Sequence, residues 1–132
     1  MTVIDDIRGR LTEKYPDLAF VVSGDTLTVK APVENGFDVW VADQGEIVVG
    51  YGGWHEHFGD RKEDARRCFA LGLSDQVRLK VSLRGTFEYK WTMEYLDGGE
   101  WVEDSTTGTF PLPFWRPRRI EYRQNGIIRK GG

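Results

Sequence analysis

The chain reads as an α+β protein: two helices packed on a mostly antiparallel, curved, multi-stranded sheet. Three observations predict it. Strand-like stretches follow one another through short hairpin turns such as Gly24-Asp25, Asn35-Gly36 and Arg84-Gly85. Only two stretches carry helical periodicity, one at the start and one near the middle. No alternation of strand, helix and parallel strand is present, so neighbouring strands pair antiparallel.

The first helix follows a capping box, Thr2-Val3-Ile4-Asp5, in which Asp5 stands in for the usual Glu. Ile4, Ile7, Leu11 and Tyr15 form one apolar stripe, and Pro16 ends it. Four strands are expected next: Leu18 to Ser23, Thr26 to Ala31, Phe37 to Ala42 and Ile47 to Tyr51. Leu27 and Val29 alternate with Thr28 and Lys30, so that strand has one wet face. The second helix is expected after Asp60, spaced as a cap from Glu63, with Ala65, Cys68, Phe69 and Gly72 inward and Gly72 as its stop.

Three to five strands complete the order. Val77, Leu79, Val81 and Leu83 alternate through the clearest one. In the next, Phe87, Tyr89, Trp91, Met93 and Tyr95 share a face. Trp101 to Glu103 follows the Asp97-Gly98-Gly99 turn. Pro111 and Pro113 restrict Thr109 to Trp115 to a sheet edge, and Ile120 and Tyr122 mark a last strand. Without a low-complexity linker, residues 1–130 read as a single domain and 131–132 as a flexible tail.

A chain of 132 residues with 39% hydrophobic and 30% charged residues can bury one core and is not disordered by composition. One cysteine excludes an internal disulfide and a cysteine-cluster zinc site. With no secretory leader and no apolar run of about 20 residues, a cytoplasmic protein that does not engage a membrane is expected. The net charge of −3 is unevenly spread: residues 116 to 132 hold six cations and one anion, which leaves −8 on the preceding 115. The arginines of that segment are placed to pair with Glu100, Glu103 and Asp104, or to show a second face to a charged partner.

Chemistry concentrates in Gly50-Tyr51-Gly52-Gly53-Trp54-His55-Glu56-His57-Phe58-Gly59-Asp60, which contains both histidines. On a strand the two imidazoles would share a face, near enough for one metal ion, with Asp60, Glu63 or Cys68 as further ligands. The spacing is no metal signature by itself, and no metal or other cofactor is expected. An acid–base role for a histidine beside a carboxylate is the other chemical option. The phase is ambiguous. Trp54 and Phe58 inward would leave the histidines outside; continuing the phase of Ile47, Val49 and Tyr51 would turn them in. No nucleophile elbow or phosphate loop is present and no catalytic residue is assigned, which points away from an enzyme.

The binding candidates are Trp54, His55, Glu56 and His57 in this segment, Trp91 on the aromatic strand, and Trp115, Arg116 and Arg118 near the end. Basic residues among aromatics can hold single-stranded nucleic acid, but the negative total charge weighs against that partner. Trp, Tyr and Arg equally anchor protein interfaces.

Gly53-Trp54-His55-Glu56-His57-Phe58, the short helix with Ala65 and Phe69, the strand Tyr89-x-Trp91-x-Met93-Glu94 and Phe114-Trp115-Arg116 together resemble a type of small bacterial α+β domain, some similar members of which look like immunity proteins of toxin systems. The resemblance spans the C-terminal two-thirds and includes no catalytic motif. It implies a protein that binds and blocks a toxin domain and does no chemistry. The alternative is a small-molecule or metal-dependent binder or enzyme centred on His55-Glu56-His57.

Overall fold

The computed structural model describes residues 2–109 and 115–129. Its elements run α1 (Val3–Lys14), β1 (Val21–Ser23), β2 (Thr26–Val29), β3 (Val39–Asp43), β4 (Ile47–Tyr51), β5 (Trp54–Gly59), α2 (Lys62–Gly72), β6 (Val77–Arg84), β7 (Phe87–Asp97), β8 (Glu100–Gly108) and β9 (Arg118–Arg123). The fold is α+β, with two helices on antiparallel sheet. The strands divide into two sheets, in the orders β1-β2-β3-β4-β5 and β8-β7-β6-β9. No described helix is long and apolar enough to cross a membrane.

Helix α1 begins as its sequence dictates: Thr2 Oγ1 accepts from the Asp5 N–H, and the Asp5 carboxylate accepts from the Thr2 N–H. Its stripe of Val3, Ile4, Ile7 and Leu11 is buried. Helix α2 buries Ala65, Cys68, Phe69 and Gly72, the four expected positions. Its ends differ from expectation. Arg61 occupies the N-cap with no side-chain cap bond; Asp60 contributes only its backbone carbonyl to the Lys62 N–H. Glu63 and Asp64 supply negative charge to that end. Gly72 is not a left-handed stop either, since it is still helical and Leu73 caps the helix at φ −90.

Both helices lie against one face of the five-stranded sheet, where cross-strand rows carry Leu27, Val41 and Val49, then Val29, Val39, Tyr51 and Trp54. All seven are buried. The four-stranded sheet adds Val77, Leu79, Val81 and Leu83 to the same core, and Trp91 and Met93 pack on it from β7. The expected five-residue stripe of β7 is broken by a register shift between Ser82 and Leu83: Glu88 pairs with Leu83 on the face of Trp91 and Met93, and Phe87 pairs with Arg84 on the other face; Phe87 and Tyr95 are exposed.

The fifth strand is the main addition to the sequence reading. Gly52, at φ 54, turns the chain after Tyr51, so Trp54–Gly59 returns along β4 as a strand of its own and does not continue the fourth. Phe58 has no partner between the pairs Ile47↔Gly59 and Val48↔His57, a bulge that closes the strand before α2.

The C-terminal segment ties the two sheets together. Asn125 is buried; its Oδ1 accepts from the Phe37 N–H at 2.9 Å and its Nδ2 donates to the Gly72 carbonyl at 2.9 Å. Ile127 and Ile128 donate backbone N–H groups to Leu73 O. Among the described residues, the arginines show no ion pair with Glu100, Glu103 or Asp104. Strand β9 lies beside β6, at the opposite sheet edge from β8, so Arg123 meets Glu88 and Glu121, and Arg119 meets Glu121. Glu103 pairs instead with Lys80 on β6. The segment containing Pro111 and Pro113, Phe114 and the terminal glycines lie outside the described residues.

Candidate functional site: the bare face of the five-stranded sheet

Strand β5 alternates: Trp54 and Phe58 are buried, Glu56 lies partly buried on their side, and His55 and His57 are exposed on the other. The strand therefore splits the His-Glu-His triplet between two faces. The histidines stand on the face opposite the helices, and no helix among the described residues covers it.

Their neighbours there follow from the register. One cross-strand row reads Val21, Thr28, Trp40, Gly50, His55; the next reads Ser23, Thr26, Ala42, Val48, His57. Gly50 is indispensable to this surface, because a Cβ there would overlap the Trp40 ring lying on it. The Trp40 indole Nε1 donates to Gly52 O at 3.1 Å, which holds the ring down. The Trp40 and His55 ring centroids are 6.5 Å apart, and those of His55 and His57 are 5.4 Å apart, edge to face. Glu46 Oε1 meets His57 Nδ1 at 2.6 Å from the β3–β4 turn.

Asp60, Glu63 and Cys68 do not join the imidazoles: Glu63 pairs with Arg66 on α2, and Cys68 is buried under the opposite face. Among the described residues no group of three or more His, Cys, Asp or Glu is arranged to hold a metal ion. Burial pushes the Cys68 thiol up to about 12, although the Tyr51 hydroxyl beside it works the other way. Buried at the Tyr51 hydroxyl, this thiol packs within the core.

The remaining candidates occupy other places. Trp54 is completely buried; its indole N–H donates to Ser105 Oγ at 3.0 Å, and Ser105 in turn donates to Asp104. That chain of bonds joins β5 to β8 where the two sheets meet, and Thr107 Oγ1 accepts the His55 N–H nearby. Glu56 faces the same seam. Desolvation first, and then Asp104, raise its carboxyl above the ordinary range, against the pull of Arg61. Trp91 lies on Gly53, with its indole N–H on Glu88 Oε1 at 3.0 Å. Trp115, Arg116 and Arg118 are exposed at the far end of the four-stranded sheet, where Arg116 lines a crevice with Arg84 and Phe87. The structure thus brings His55 and His57 together and separates them from the Trp115 cluster.

Trp40 is the site residue that sequence reading missed. Its signal was the hairpin around Gly45, which pairs Trp40 with Gly50 and so places an aromatic ring over a residue without a side chain. Comparison with protein-family models, with curated proteins and with solved structures found no match.

Proposed function

We propose that the chain is a non-enzymatic protein-binding module that engages its partner through the bare face of the five-stranded sheet. The observation that carries this reading is the row Trp40, Gly50, His55, with His57 beside it. A pre-positioned indole with His55 beside it and His57 next in line offers apolar area and hydrogen bonding with few rotamers left to order, the properties of an interface anchor. Thr26 and Thr28 add hydroxyls to these rows, and Val21, 57% exposed, adds apolar area.

A basic protein domain is the partner that the charge distribution suits, since residues 1 to 115 carry −8. In the form the sequence resemblance suggests, that partner is a bacterial toxin domain and the chain blocks it by occlusion. The metal-dependent or small-molecule reading has less support, because Glu56 turns away from the two histidines.

The test is calorimetric titration of the purified chain against basic proteins encoded beside its gene, toxin domains first. Binding that Trp40→Ala and the double variant His55→Ala/His57→Ala each weaken by about tenfold or more supports the proposal. Binding untouched by both variants, or no binding by any neighbour, overturns it. Elemental analysis of the same preparation separates the alternative: stoichiometric metal, lost in the double histidine variant, would favour it.

A further inference from the structure

On the other side of the sheet, α1 and α2 leave a groove of about 340 Å³ between them. Its lining is apolar in the middle: Tyr15, Ala70 and Ile128 keep accessible surface there, over the buried Ile7, Leu11, Phe69 and Leu73. Its rim is cationic: Arg10 and Lys14 stand on one wall, Arg66 and Arg67 on the other, with Glu63 the one acid among the lining residues.

These cations are unequal. Arg66 is held by both Asp6 and Glu63, and Arg10 is held by Asp6. Arg67 is 70% exposed and reaches Asp64 only at 3.8 Å, a pair of little strength. Lys14 has no ion-pair partner among the described residues. Counting Asp6 and Asp64 with the rim, one net positive charge remains, and Lys14 and Arg67 are the groups able to turn toward a ligand.

We infer that this groove binds a small amphipathic carboxylate, with its hydrocarbon tail along the apolar middle and its carboxylate between Lys14 and Arg67. The volume lies at the low end for small-molecule sites, which suits a chain of about eight carbons and is too small for a full lipid. A sugar or a nucleotide would leave hydroxyls or ring nitrogens unpaired against Ala70 and Ile128. An organic cation would meet the rim with like charge.

Octanoate is the probe, titrated calorimetrically into the intact chain with octylammonium as the charge control. Saturable one-to-one binding of octanoate at or below about 1 mM is expected, with affinity falling by about twofold for each methylene removed from the half-covered tail. Lys14→Glu/Arg67→Glu should weaken it by about tenfold or more. Ala70→Trp, at an exposed lining position of α2, should block the groove without touching the core, circular dichroism confirming the fold. Octylammonium binding as tightly as octanoate, no saturation, or octanoate binding undiminished in folded Ala70→Trp each overturns the assignment. If the charge-reversal variant fails to fold, the filled-groove variant decides alone.

Discussion

The ring of Tyr51 occupies the space that a side chain at Gly72 would need. Tyr51 cannot swing away cheaply, because its hydroxyl donates to the Cys68 carbonyl one turn earlier in α2 and the residue is completely buried. Strand β4 and the end of α2 therefore approach only because position 72 has no Cβ.

Two effects of opposite sign meet in Gly72→Ala. Within a helix, alanine is favoured over glycine by about 0.5–1 kcal/mol. Forcing a methyl group into the Tyr51 ring costs about 1–3 kcal/mol, as overpacking usually does. Overlap should win, so chemical denaturation should show a net loss of about 1–2 kcal/mol. A variant as stable as the parent, or more so, would mean that Tyr51 has room to move.

Arg78 and Glu94 present a second test on the outer face of the four-stranded sheet. Arg78 Nε meets Glu94 Oε1 at 2.6 Å, while its guanidinium lies over the Trp101 ring at 4.5 Å and the Tyr122 ring at 4.2 Å. The Glu94 side chain is only 6% exposed, so removing its partner strands a charge. Arg78→Leu should cost about 3–5 kcal/mol in equilibrium unfolding, and Arg78→Leu/Glu94→Leu should recover most of it. Equal losses in the single and double variants would show that the aromatic stack, not the charge pair, carries the energy.

Glu56 sets a pH dependence. Its folded carboxyl titrates above the ordinary value of 4.5, so the folded state binds this proton more tightly than the unfolded state. The associated stability is fully present below about pH 4.5 and is lost as pH rises through the folded pKa. Glu56→Gln removes that loss. Its melting temperature should exceed the parent's at about pH 7, with the gap closing toward about pH 4. A gap that is the same at both pH values would place the destabilisation elsewhere.

Much of this was legible in the residues. The Thr2-Asp5 capping box, the stripes of both helices and the run Val77 to Leu83 are set by local periodicity and short-range bonds, which depend on neighbours in the chain. Alternation around Trp54 and Phe58 also held one of the two possible facings of the histidines.

The rest depended on distant partners. Only β5 packing its Trp54 against β8, through Ser105, settled that His55 and His57 face outward. The apparent helix stop at Gly72 is a close approach to Tyr51, which lies 21 positions earlier in the chain. Which acids the C-terminal arginines meet was decided by β9 joining β6 and not β8. Sequence by itself determined both helices, the strands other than β5 and most of the buried stripes, because hydrophobic period and capping act within a few residues. Tertiary structure decided the faces, the division into two sheets and the contents of the bare surface, because those follow from which stripe covers which, and a single-residue change of phase would have exchanged them.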